Sequence, residues 1–153
     1  GSEDEALWFT TNRITIKARA EETGGAFGMI EALAPPGFSP PLHIQHGEAE
    51  AFLILEGEVT FRCGEDTFRA GPGDFAFVPR HAPHSFVVGG TAPARFLNVI
   101  TPGGFEQFFA DAGRPAEGPG LPPAAPPDIE LLRRVSGEYD SELVGPPLSP
   151  AAG

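Results

Sequence analysis

Histidine occurs at four positions in this chain, in two pairs: His43 with His46, and His81 with His84. Side chains two apart on a strand leave the same face, so His43 and Gln45 point together. Glu50 follows after a polar turn, and His84 opens an apolar run behind Val78, Pro79 and Arg80. If the strands that carry them close into a barrel, His43, Glu50 and His84 converge on one interior point. Imidazole nitrogen and carboxylate oxygen are donors for a divalent first-row metal such as Fe, Mn, Co, Ni or Cu. A carboxylate held there can also move protons as a general base. His46 has the opposite parity to His43 and begins the turn, which places it at the surface; an inward swing is the alternative. His81 sits in a Pro-bounded loop, at the mouth or on the surface. Glu48 reads as a solvated turn carboxylate, whereas Glu50 shares parity with Phe52 and Ile54 and faces inward.

The elements that must position these groups are short strands. Ile14, Ile16 and Ala18 alternate with Thr15, Lys17 and Arg19, the period of a half-buried strand. Residues 26–34, 51–56, 59–63, 67–70, 75–78, 84–88 and 94–101 continue the set, separated by Gly- and Pro-containing turns. Many short strands at close spacing predict an all-β sandwich or barrel. The last third changes character. Phe105, Phe108, Phe109 and Ala112 form one helical face that Gly113 can end. Residues 113–127 then hold six Pro and three Gly in fifteen positions, an extended wrap. Asp128 is a candidate N-cap for a second helix striped by Ile129, Leu132 and Val135, with Gly137 as its stop. Gly145, Pro146 and Pro147 suggest a final extended surface strand.

Composition bounds the partners. The chain has 153 residues, enough for one domain, and a net charge of −11. An acidic surface repels phosphate backbones and anionic lipid, so neither nucleic acid nor a membrane is an expected partner. No apolar stretch approaches the roughly 20 residues of a membrane span. The single cysteine, Cys63, excludes an internal disulfide framework and reads as a small core hydrophobe. A cytoplasmic location and a small-molecule partner are the expectations. Of the 13 Phe, Phe27, Phe52 and Phe96, with Met29 and Asn98, are candidates to line a substrate pocket.

At the histidines the chain resembles the cupin superfamily. The first cupin motif, G-x5-H-x-H-x4-E-x6-G, is matched by Gly37, His43, Glu50 and Gly57, with Gln45 in place of the second histidine. The second, G-x5-P-x-G-x2-H-x3-N, is matched by Gly73, Pro79 and His84, with His81 and Val88 as departures. The runs Thr101 to Phe105 and Gly145 to Pro147 resemble the bacterial quercetin 2,3-dioxygenase-like branch. The resemblance implies an all-β double-stranded β-helix, a jelly-roll barrel, over residues 6–103. A tag remnant and flexible N-terminus would occupy residues 1–5. C-terminal helices and a Pro-rich wrap would pack on the barrel over residues 104–148. It implies one divalent transition metal held by His43, Gln45, Glu50 and His84, with Glu50 as ligand and catalytic base. The implied activity is metal-dependent dioxygenation of a small apolar oxygenated molecule, flavonol- or polyketide-like. Gln45, a neutral and weaker donor, opens two alternatives: non-oxidative proton transfer (isomerisation, cyclisation or elimination), or non-catalytic ligand binding. Small cupins commonly pair, so a homodimer is expected, with the apolar segment Ala6 to Phe9 as the candidate interface.

Overall fold

Alternating side chains make strands whose buried faces must be covered, and here two sheets cover one another. The structure, a computed structural model, describes residues 5–149. Ten strands precede the tail: β1 (Glu5–Phe9), β2 (Asn12–Ala18), β3 (Gly28–Ala34), β4 (Pro41–Gln45), β5 (Ala49–Glu56), β6 (Val59–Cys63), β7 (Asp66–Ala70), β8 (Phe75–Val78), β9 (His84–Val88) and β10 (Ala94–Thr101). The tail holds α1 (Glu106–Ala112), β11 (Arg114–Pro115), α2 (Ile129–Glu138) and β12 (Ser141–Pro147). One sheet has the order β11-β1-β2-β3-β10-β5-β8 and the other β12-β4-β9-β6-β7. The all-β jelly roll with a short helical tail is therefore the observed architecture. Its core lies between the sheets, where Phe52 packs its ring 5.1 Å from Phe61 and 5.9 Å from Phe96.

The tail does more than pack on the barrel. β11 pairs with β1, and β12 pairs with β4, so tail residues cover an edge of each sheet. The segment Ala6 to Phe9 is consumed in this way. It pairs with β2 on one side, and Leu7 and Phe9 are buried in the chain's own core. Its apolar side chains are thus not free for a neighbour. Glu5 already belongs to β1, opposite Ile16, while the tag remnant expected at Gly1 and Ser2 lies outside the described residues.

Both tail helices form where the apolar spacing places them. Phe108 and Phe109 set their rings 5.6 and 5.2 Å from Phe9. The Asp128 carboxylate accepts the Leu131 N–H at 3.0 Å, the expected N-cap. α2 runs through Gly137 to Glu138, one turn residue past the expected stop. Glu106 staples the tail down: its buried carboxylate accepts the backbone N–H of Ala20 and of Gly104, each at 2.7 Å. Gly28 makes room for it, since a Cβ there would stand 2.0 Å from Glu106 Oε1.

β1 and β2 are joined by the two-residue turn Thr10–Thr11. Such a turn needs a positive φ, and Thr10 supplies it at 51°. A β-branched residue in the left-handed region is strained by about 1–3 kcal/mol.

Candidate functional site

Two adjacent strands of the smaller sheet bring the first pair of donors together. β4 and β9 pair with His43 directly opposite His84, and the two imidazoles stand 4.2 Å apart between ring centroids. The larger sheet supplies Glu50 from β5, whose Oε2 lies 3.5 Å from His84 Nε2. That distance suits an ion pair but is long for a hydrogen bond, and His84 Nε2 is buried with no hydrogen-bond partner. Both rings are pinned by backbone carbonyls. His43 Nδ1–H donates to Pro41 at 2.7 Å, and His84 Nδ1–H donates to Ala82 at 2.9 Å. The pinning leaves each Nε2 as the inward-facing nitrogen.

The electrostatics divide the two histidines. Burial, reinforced by the neighbouring His84, lowers the His43 pKa to about 4, so His43 is a neutral imidazole with an Nε2 lone pair. Burial also works to lower the His84 value, but the Glu50 carboxylate outweighs it and raises it above the ordinary value. Glu48 is buried, not solvated, because Gln45 and β4 cover it. Burial, and then the charge of Glu50, push its carboxyl up to about 7.

Gln45 is 2% exposed and takes a place between the two carboxylates. With its nitrogen turned to Glu50, the carboxamide donates to Oε1 at 2.9 Å and to Oε2 at 3.3 Å. The opposite orientation sets its oxygen against acceptors and leaves a 3.4 Å contact to Glu48. Gln45 thus acts as a hydrogen-bond donor that orients Glu50. The donor types and pinned tautomers at His43, His84 and Glu50 fit a divalent metal, and an orphaned Nε2 is what a ligand nitrogen looks like without its ion. The spacing is less complete: among the described residues, no group of three or more His, Cys, Asp or Glu stands at metal-ligand separation.

These groups open on a cavity of about 350 Å³ that is otherwise largely apolar. His43, Glu50, Phe52, His84, Phe96 and Asn98 all line it. Asn98 also donates to the Ala51 carbonyl at 3.5 Å, so it is both a backbone partner and a wall residue. Phe27 and Met29 are not on the wall. The strand begins at Gly28, so Gly28, Ile30 and Ala32 are the inward set, and Met29 shares the outer face with Glu31 and Leu33; Phe27 precedes the strand. The signal was present in the sequence, since a charged Glu31 marks the face that Met29 shares. His46 and His81 are at the surface, with Nδ1 atoms 2.8 Å apart and His46 Nε2 2.6 Å from Glu142 Oε1. The inward swing of His46 does not occur.

The tail roofs the cavity. Phe105, Phe108, Ile129 and Leu132 line it from α1, α2 and their flanks, and the β1–β2 hairpin contributes Thr10 from its turn and Asn12 from the start of β2. None of Thr10, Asn12 or Glu106 stood out in the sequence, and Glu48 read there as a solvated turn carboxylate. A turn of Thr-Thr-Asn without glycine was the available signal for the first two.

Comparison with known proteins bears on the same elements. A family model described as the cupin domain matches residues 29–100. Quercetin 2,3-dioxygenase of Bacillus subtilis (strain 168) is 32% identical over 103 residues, covering 67% of this chain and 30% of the relative. The chain thus spans less than a third of that relative. Among solved structures, a predicted oxalate decarboxylase from Thermotoga maritima matches with a TM-score of 0.60 and 26% identity, over 66% of this chain and 95% of that one. A sugar phosphate isomerase of the cupin superfamily from Silicibacter pomeroyi DSS-3 matches with a TM-score of 0.52 and 25% identity, over 60% and 59%. No helix among the described residues is long and apolar enough to cross a membrane. With the histidines of both motifs on adjacent strands of a jelly roll and a cupin-domain match across its centre, this chain is a member of the cupin superfamily that resembles quercetinase-like proteins.

Proposed function

We propose that this chain is a small-molecule enzyme that binds an apolar, oxygenated ligand of flavonol or polyketide type, with Glu50 as the base, in metal-dependent dioxygenase-type chemistry. The observation that carries the reading is the placement of Glu50. Its carboxylate is buried, aligned by Gln45 and faced by His84 at the polar end of an otherwise apolar cavity. Such a site holds a largely apolar molecule by its walls and reads one polar function at the end. His43, Glu50 and His84 would hold a divalent metal, which when bound polarises a ligand oxygen and lowers the pKa of its hydroxyl. Glu50 accepts the hydroxyl proton, and Gln45 fixes the carboxylate that receives it. Phe52 and Phe96 flank the ligand and exclude water, which strengthens every charge interaction inside.

The experiment is metal analysis of protein purified without chelator and then offered Fe, Mn, Co, Ni or Cu. One divalent ion per chain is expected, lost in His84→Ala with the far-UV circular dichroism unchanged. No binding of any of the five in excess would overturn the metal reading. The engagement of Gln45 with Glu50 favours a second reading, in which Glu50 or His84 moves protons on a natural-product skeleton without oxidation. Turnover by metal-free protein would establish it, and ligand binding with no product would point to a binding cupin instead.

The assembly proposed is a homodimer in the cytoplasm. With β1 enclosed, its surface is reassigned to the outer face around edge strand β8, where Phe75 is 64% and Phe77 52% exposed beside Leu53 and Leu55. An apolar patch on an open edge asks for cover. Light scattering is expected to give a dimer mass for the wild type and a monomer mass for Phe77→Lys; a wild-type monomer across micromolar concentrations would contradict the assembly.

A further inference from the structure

Among the described residues, three buried side-chain polar atoms have no hydrogen-bond partner: Thr10 Oγ1, Asn12 Oδ1 and His84 Nε2. All three residues line the same cavity. Buried polar groups are almost always satisfied, and those that are not call for an explanation. His84 has one in the site described above. Thr10 and Asn12 lie elsewhere. Counting inward-facing rows from Glu50, which pairs with Ile100, the next row holds Phe52, Asn98 and Ile30, and the one after it Ile54, Phe96, Ala32 and Ile14. Asn12 lies one inward row beyond Ile14, three rows from Glu50, with mostly apolar side chains lining the cavity between. Asn12 is 4% exposed, so bulk water does not serve it.

We propose that Thr10 and Asn12 form a second polar subsite, which binds a hydroxyl group at the far end of an elongated, otherwise apolar ligand. A carboxamide oxygen accepts one hydrogen bond from such a group, and a threonine hydroxyl can donate one to it. One ligand hydroxyl can therefore partner both orphaned atoms, which a purely apolar end cannot do. The strained φ of Thr10 accords with this: glycine would relieve the turn but would remove the hydroxyl. The family match covers residues 29–100, so the β1–β2 turn and the helical roof lie outside it. The shared motifs handle the reacting end of the ligand, and segments outside that match read its distal end. The inference rests on the reading that this cavity takes the ligand.

Two measurements test it. The first needs no ligand. Asn12→Leu replaces an unpartnered carboxamide with an apolar side chain of similar size, and is expected to raise the melting temperature of the free protein by about 2–4 °C. A fall of that size would show that the carboxamide has structural partners, and would overturn the proposal. The second uses galangin and kaempferol, two flavonols that differ by one hydroxyl on the far edge of the pendant ring. Their binding is read by quenching of Trp8, the single tryptophan, two positions before Thr10 in the chain. The wild type is expected to favour kaempferol about tenfold, and Asn12→Leu to lose that preference while still binding galangin. Equal affinity of the wild type for both would overturn the subsite while leaving the cavity reading intact. If neither flavonol binds, the flavonol reading fails instead, and the direction of the melting shift decides the subsite.

Discussion

Glu50→Gln is expected to lower turnover by about 10²–10⁴-fold, the usual worth of a positioned general base, and to leave the barrel folded. The change keeps shape and volume and removes only the charge and proton affinity. Glu50 is 6% exposed and belongs to the long strand β5, held between β10 and β8, so a near-isosteric amide has little freedom to disturb its surroundings. Gln45 still has an acceptor to donate to, because the new side chain can turn its oxygen toward it. Both chemical readings of the site need a carboxylate, so the loss is expected whether or not oxygen is consumed. The accompanying metal content separates them: with a charged donor gone, metal occupancy falls in the first reading, and in the second it was low from the start. The rate is measured with the substrate that the wild type turns over, beside near-UV circular dichroism to confirm packing. Activity within a factor of about three of the wild type would remove Glu50 from its role, and Glu48→Gln would then identify the neighbouring carboxylate as the base.

His43, Glu50 and His84 were legible before the structure because their information is local. Motif spacing and strand parity fix which way each points, and the pairing of β4 with β9 then sets the two histidines face to face. Parity also placed Gln45 inward, but could not show its partner. That depends on how the short turn after Gln45 carries the chain from β4 in the smaller sheet to β5 in the larger, which sets Glu50 within reach. Met29 was misplaced although its parity was legible: it alternates with the buried Gly28, Ile30 and Ala32 and shares the outer face with the charged Glu31. Glu48 looked like a turn carboxylate because it lies in the polar link between two strands, and its burial follows only from how that link folds back on Gln45. Ala6 to Phe9 read as a free apolar segment because its neighbour β11 is only two residues long and includes a proline. Thr10 and Asn12 were illegible as cavity residues, because the wall they join is built by helices more than ninety positions away.

Gln45→His is expected to tighten Ni or Cu binding on the order of 10–100-fold, the scale on which changes at and around metal ligands act. The reasoning starts from the strand. Position 45 leaves the same face of β4 as His43, and its side chain already reaches Glu50. An imidazole there would add a third nitrogen donor next to two that are already pinned, and Ni and Cu are the metals that gain most from imidazole over amide. The same change removes the amide that orients Glu50. In the oxidative reading the gain in metal outweighs that loss, and cleavage of a flavonol rises from a low baseline. In the proton-transfer reading the base loses its alignment, so the native reaction falls while metal content stays low. Titration of wild type and variant with the same metals decides between these outcomes. A higher affinity with rising cleavage supports the weakened metal site, and an unchanged low metal content with falling turnover supports proton transfer. Equal, measurable affinities with equal turnover would mean that residue 45 touches neither the metal nor the base, and the inward assignment of its side chain would be lost.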